Sequence, residues 1–578
     1  MKQIGFKNFR RFAEEVALPL GDINLLVGGN NSGKSTVVKA LLLITANLNH
    51  LFRLGRFPNM FEREKPMFNF APKVYHDVLH IGTFNRAVNI NHKDCSIVFN
   101  VNFNGIAMSL EILPLKDESF VKDNQEVKTN NELPTAQIQR ISVVSDKYGI
   151  EYLLDFVKNV VEISVQERET PHFDSSIYRN EDVINFIREN NSSLTSPLKP
   201  SEIEDIINLI PSIQTKKEAL DNFTLSRGAK AEFSRLRKEL QYILPILKGI
   251  EAININHGLR VSLPLNLLSS RAVAFPVPFI SQRFRYYDDE VATIPEDEMN
   301  RIGEQYRDIV ETLNKLTPLF REFYGELMDL MFFQAPEYIY AHAVSQKTLY
   351  PINSDNDFMS QTIENYFRMG IKENDPEAKL VEKWLSIFNI ASRFEVSPIA
   401  GCEAFTVKLG DEDTPRDNWL NLAEKGMGSI QMFILLLKIA TIICNYRPSL
   451  RYRRAGGSEV IVIVEEPEQN LHPSMQSLLA DLFFEINQEF KIRFIIETHS
   501  EYLVRRAQVL CGEIHNENNK ERENPFKVFY FPNHGMPYEM GMQSSGQFIN
   551  NFNEGFFDVA AKLNMEVTKR ERQRQRKC

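Results

Sequence analysis

The chain has 578 residues and a mass of 66.8 kDa, enough for more than one domain. Its composition, 43% hydrophobic and 25% charged, is that of a globular protein and excludes a fibrous or disordered chain. A net charge of −9 excludes an overall basic footprint for nucleic acid and leaves only a local patch open. The cysteines Cys95, Cys402, Cys444, Cys511 and Cys578 are scattered without zinc-type spacing. Such usage suits a reducing cytoplasm. Residues Met1 to Phe6 run straight into a strand pattern, so no secretory leader is expected.

In chain order, the first elements are two strands. Ile4, Phe6, Phe9 and Phe12 mark one, and Ile23 to Val27 the other. Gly28-Gly29-Asn30-Asn31-Ser32-Gly33-Lys34-Ser35-Thr36 follows and fits G-x-x-x-x-G-K-[ST], the phosphate-binding P-loop. A helix is expected from Lys34 to Leu43. The strand–loop–helix context gives the motif its meaning. Gly28 and Gly33 are expected to take positive φ so that successive N–H groups face one phosphate. Asn30, Asn31, Ser32 and Thr36 belong to the same cradle. The helix N-terminus adds partial positive charge. Lys34 brings a full charge to the β- and γ-phosphates, and the Ser35 hydroxyl faces Mg²⁺.

Strands return at 75–115. Ile97, Phe99, Val101 and Phe103 alternate, Asn104-Gly105 reads as a hairpin turn, and Ile106, Met108, Leu110 and Ile112 alternate after it. From 150 to 395 helical patterns dominate, with Lys216 to Leu244 and Glu298 to Met331 the clearest. This stretch reads as a mainly helical insertion, with a separate helical domain as the alternative. Candidate basic residues on it interleave with glutamates, so an exposed helix face is the plainer reading.

Near residue 400 strand patterns resume at Phe405 to Leu409. Met432 to Cys444 reads as a buried helix, too short and too interrupted by Lys438 for a membrane span. No membrane partner is expected. Glu424 to Gln431 precedes it, and Gly428 and Ser429 at its N-terminus form a second candidate anion site. Val460 to Val464 is a β-branched run of the kind found in central parallel strands. It ends in Glu465-Glu466-Pro467-Glu468, a Walker B pattern whose strand is expected beside the P-loop strand. Glu465 is assigned to the metal and Glu466 to orienting or activating the attacking water. His499, after the apolar strand Phe494 to Ile496, is placed to sense the γ-phosphate. The basic run Lys569 to Lys577 reads as a solvated end, with nucleic-acid contact as the alternative.

Taken together, Phe6 to Phe12, the P-loop, Gly426 to Gln431, Glu465 to Pro473 and Glu497 to Ser500 resemble an ABC-type ATPase of the RecF/SMC group. The chain is more closely similar to AAA-annotated bacterial ATP-binding proteins related to the OLD family. Asn553 to Asp558 is similar to a segment in ATPases of phage-defence systems, including the Septu and PARIS types. The resemblance implies an α/β ATPase head with a mixed sheet, split by the insertion, with ATP and Mg²⁺ as cofactors. Its parts are 1–149, the insertion 150–395, 396–545 and an extension 546–578. It implies a head-to-tail homodimer with ATP between one P-loop and the other subunit's Gly428 and Ser429. Asn470 to His472 then lies at the dimer interface, and Arg10 or Arg11 at phosphate. The glutamine expected between the two lobes is sought near Asp77. Beyond His499 there is no Asp-x-Asp of a Toprim nuclease. Asp411-Glu412-Asp413 reads as a solvated turn, and Asn516 to Asn518 lacks the pattern of an H-N-H nuclease. An effector, nuclease or toxin, is therefore expected as a separate partner, in phage defence. The rivals are a RecF-type DNA-repair ATPase and an ATP-holding scaffold that cages a toxic partner.

Overall fold

The computed structural model describes residues 1–53, 66–73, 79–93, 95–103, 105–114, 134–165, 252–254, 258–264, 323, 335–340, 345–354, 357–399, 401, 403–451, 460–517, 524–552, 557 and 559–575. Asp77, Lys216 to Leu244, most of Glu298 to Met331 and most of Asn553 to Asp558 lie outside the described residues. The chain forms two compact units. The first comprises Met1–Val144, Leu154–Lys158 and Glu322–Cys578, the second Ser145–Leu153 and Asn159–Arg321.

The first unit is organised by a six-stranded sheet in the order Glu337–Ile339, Ile461–Glu465, Arg493–Thr498, Ile23–Gly28, Phe526–Phe531, Tyr538–Glu539. Its first five strands pair in parallel and the last antiparallel. All six residues of Ile23–Gly28 are buried, as expected of a central parallel strand covered on both faces. The one polar residue in it, Asn24, is satisfied. Its side chain accepts from the Gly21 N–H at 2.7 Å and donates to the Phe494 carbonyl at 3.0 Å. The Glu465 strand is not the neighbour of the P-loop strand, as the sequence suggested. Arg493–Thr498 lies between them. A local pattern marks a strand as central but carries no information on which strand it pairs with.

The helix after the P-loop runs over Lys34–Arg53. The apolar helix is longer than its sequence pattern, spanning Met427–Arg451. Its stretch Met427–Arg447 is long and apolar enough to cross a membrane, contrary to the reading from the apolar run alone. In the fold, however, Met432 to Leu437, Ile439, Ala440, Ile442 and Ile443 are buried in the core beside the sheet residues Leu25, Val27, Val462 and Ile496. A helix apolar on all sides is covered on all sides.

An antiparallel sheet also belongs to this unit. Gln3–Lys7 pairs with Val16–Pro19 and with Ile97–Phe103, and the latter pairs with Ile106–Leu113. These last two strands have the register expected of a hairpin, with Phe103 opposite Ile106; Asn104 lies outside the described residues. The first strand stops at Lys7, because Asn8 and Arg10 take positive φ; Phe9 and Phe12 instead face each other across a tight turn. Phe6, Phe9, Phe12, Phe68 and Phe99 stack into one aromatic cluster.

Residues 335–395, read from sequence with the insertion, pack in this first unit. Helices Phe358–Arg368 and Pro376–Ile387 contribute Met359, Ile363, Val381, Trp384 and Leu385 to its core. In the second unit, Val160–Val165, Ala252–Asn254 and Gly258–Pro264 are strands, paired antiparallel through Gly258–Pro264. Helical periodicity in the surrounding residues did not signal them.

Arg493 ties the sheet to the N-terminal turn. It is 6% exposed, and its guanidinium donates to the carbonyls of Met1, Leu20 and Gly21. Arg493→Ala orphans these acceptors, and at about 1.5–3 kcal/mol per hydrogen bond to a charged group a loss of roughly 3 kcal/mol is expected. Chemical denaturation of the two proteins measures it; a change under ~0.5 kcal/mol refutes this account.

Candidate functional site

The site grows from the C-terminal ends of three adjacent parallel strands, where open α/β sheets place their ligands. Ile23–Gly28 delivers the P-loop, Ile461–Glu465 delivers Glu465 and Glu466, and Arg493–Thr498 delivers Glu497 and His499.

In the loop, Gly33 has φ +108° and Asn31 φ 59°. Gly28 does not take positive φ as expected. It is needed for close approach, because a Cβ there would lie 2.5 Å from the Phe531 carbonyl oxygen and 2.7 Å from Ser32 Oγ. Gly28→Ala must displace backbone, an overpacking that costs about 1–3 kcal/mol. A lower melting temperature and nucleotide binding weaker by about tenfold are expected. Unchanged calorimetric titrations would contradict the packing argument.

A cavity of about 560 Å³ opens over Asn31 to Thr36 and is walled by Arg10, Arg86 and Lys93. Asn30 is exposed and stands outside it. Arg11 also lines the cavity, and its guanidinium braces the loop by donating to the carbonyls of Asn31 and Asn533, the latter at 2.9 Å.

Lys34 is 3% exposed, and its ammonium donates to the Gly28 and Gly29 carbonyls at 3.0 Å each. It also lies 3.1 Å from His499 Nε2 and 3.9 Å from Glu497 Oε1. Burial lowers its pKa, and Glu497, Glu466 and Glu468 oppose that shift. His499 Nε2 is 3.5 Å from Glu466 Oε1. The hydrogen bond from His499, joined by one from Gln469, holds the Glu466 carboxyl down at about 2 despite partial burial. Glu466 has φ +41°, a left-handed conformation that costs a non-glycine residue energy. Its N–H donates to the Glu497 carbonyl at 2.7 Å, which anchors that turn.

The sequence motif Glu497 to Ser500 assigns no role to Glu497 itself. It is 5% exposed, and its Oε1 accepts a hydrogen bond from Ser35 Oγ at 2.9 Å. Burial pushes its carboxyl up to about 7 against the pull of Lys34 and Ser35. Glu465, by contrast, accepts from the Tyr338 hydroxyl at 2.8 Å. Glu468 is buried, which raises its pKa, and its Oε1 accepts the His499 N–H at 2.5 Å. A signal for Glu497 was present, since it is a carboxylate at the end of the apolar strand Phe494-Ile495-Ile496 directly ahead of His499. None existed for Tyr338, which reaches the site from a strand more than a hundred residues away in sequence.

Gly428 and Ser429 begin the apolar helix but do not line the P-loop cavity. That segment packs on the turn after Glu466. A Cβ on Gly428 would lie 2.4 Å from the Asn470 carbonyl oxygen, and Asn470 donates to Gln431 Oε1 at 3.1 Å. His472 caps helix Pro473–Phe490 by accepting from the Ser474 N–H.

The site at Ser35 fits a magnesium ion: the Ser35 hydroxyl is a hard oxygen ligand, and the Glu497 carboxylate lies 2.9 Å from it. Among the described residues no group of three or more His, Cys, Asp or Glu side chains is set to cage a metal.

Fold and loop together define a P-loop nucleotide-binding protein. The AAA ATPase domain family matches residues 1–504, and the chain belongs to that family. No curated protein matches the chain. Among solved structures, it is similar to the Smc head domain with an extended coiled coil bound to the C-terminal domain of ScpA from Pyrococcus furiosus, at 12% identity, covering 98% of this chain and 99% of that one, with a TM-score of 0.27. The SMC head domain from Thermotoga maritima shows 10% identity over 94% of this chain and 98% of that one, with a TM-score of 0.28. At these scores the likenesses carry no argument.

Proposed function

We propose that the protein is a Mg²⁺-dependent ATPase with an ABC-type head that works as a dimeric switch. The observation that carries this reading is the convergence of Lys34, Ser35, Glu466, His499 and Glu497 on the mouth of one P-loop. When bound, the metal supplies charge neutralisation at the phosphates. Lys34, now turned onto its own loop carbonyls, is poised to exchange them for phosphate oxygens. Glu466 is held ionised by His499 and Gln469. It serves by accepting a hydrogen bond from the attacking water and orienting it. His499 Nε2 lies between Lys34 and Glu466 and hydrogen-bonds one of them at a time, as donor to Glu466 or as acceptor from Lys34.

The dimer reading is supported by the position of Gly428 and Ser429, outside their own subunit's P-loop cavity. A second copy in head-to-tail arrangement then supplies them to the nucleotide. ATP closes the pair and hydrolysis releases it. The resemblance to OLD-type heads extends this to a cytoplasmic sensor in phage defence, with a nuclease or toxin acting in trans; a DNA-repair role of RecF type and a caging scaffold are its rivals. ATP turnover and solution mass, measured with and without ATP, test the switch. Turnover with ATP-dependent dimers supports it, and tightly held ATP without turnover moves the reading to a scaffold. Stimulation by DNA ends moves it to repair.

A further inference from the structure

We propose that Glu497, rather than Glu465, is the positioning residue that sets the Ser35 hydroxyl for the magnesium ion of the nucleotide. This rests on the ATPase reading. A hydroxyl that binds a cation has to aim a lone pair at it and send its proton elsewhere, so it needs an acceptor behind it. In P-loop sites a strand-end carboxylate next to the loop hydroxyl is the usual companion of the metal. Here the carboxylate in contact with the hydroxyl is Glu497, 2.9 Å away. Three features fix it there. It is 5% exposed. Its strand pairs with the P-loop strand on one side, with Glu497 opposite Leu26, and with the Glu465 strand on the other. The Glu466 N–H and its own carbonyl lock the backbone at that position.

Glu465 sits directly opposite Glu497 in the register, yet its side chain is engaged by the Tyr338 hydroxyl from the strand on its far side. The two acidic strand ends have thus divided their tasks. Glu497 orients the loop hydroxyl, and Glu465, engaged by Tyr338, would reach the ion only through water.

The test is ADP binding to the full chain, titrated calorimetrically in EDTA and across a range of Mg²⁺ concentrations. For Glu497→Gln, binding in EDTA is not weakened, because a negative charge near the phosphates has been removed. The Mg²⁺ concentration that half-restores full affinity rises by about tenfold, the usual penalty for losing a partner of a metal ligand, and excess Mg²⁺ recovers the wild-type value. In a Ser35→Ala background the same substitution shifts nothing further, since the hydroxyl it acts through is gone. If Glu497→Gln does not fold, Glu497→Asp, which retracts the carboxylate by one methylene, is read in the same way. The proposal is overturned by no Mg²⁺ shift, by an equal or larger shift in Glu465→Gln, by a shift that persists without Ser35, or by binding lost equally in EDTA. Wild-type protein that binds no ADP under any condition instead removes the ATPase reading itself.

Discussion

Glu466→Gln is expected to lower ATP turnover by about 10²-fold, the order lost when a reacting group is no longer correctly positioned, while nucleotide binding persists. The substitution is nearly isosteric. The turn it sits on is held by the backbone bond from its own N–H to the Glu497 carbonyl and by Gln431 donating to the Glu466 carbonyl, neither of which needs the carboxylate. What disappears is the charge that His499 and Gln469 stabilise. With the water no longer oriented, ATP stays unhydrolysed and any ATP-closed dimer should persist. Phosphate release and solution mass report the two effects separately. Turnover within threefold of wild type would show that Glu466 is not the water-orienting group. Loss of binding along with turnover would show that it acts on the phosphates instead.

Lys34→Ala is expected to remove most nucleotide affinity. A hydrogen bond to a charged group contributes about 1.5–3 kcal/mol, so losing the ammonium from a site where it is 3% exposed should weaken binding on the order of 10²-fold. The folded protein should tolerate the change better than the ligand does. Lys34 offsets the charge of Glu497, Glu466 and Glu468, but Glu497 already titrates near 7 and takes up a proton when its cation is removed. Calorimetric titration with ADP in EDTA isolates the lysine from any metal contribution. Binding that falls less than threefold would mean that the ammonium remains on Gly28 and Gly29 and never reaches phosphate.

The nucleotide site was legible in the sequence to the extent that its chemistry is written in short segments. The P-loop, the acidic strand end at Glu465-Glu466 and His499 each carry local pattern and residue type together, and all three arrive at one sheet edge. The loop after Gly28 also needed its glycines, though for two reasons: a positive φ at Gly33 and a close approach of Phe531 at Gly28. Residue identity alone does not separate these. The extent of Met427–Arg451 was underestimated because its polar C-terminal turns fall outside the apolar run.

What the sequence determined by itself was the class of ligand, because backbone N–H groups, a lysine and a hydroxyl at fixed spacing make one kind of site wherever the chain runs next. What only the tertiary structure decided was strand order and, with it, the partner of each carboxylate. Ile461–Glu465 and Arg493–Thr498 look alike as buried parallel strands, and side-chain alternation says nothing about which one borders Ile23–Gly28. That order sets Glu497 against Ser35 and Glu465 against Tyr338. Long-range pairing is a property of the packed sheet, decided by helices and strands hundreds of residues apart burying their apolar faces together.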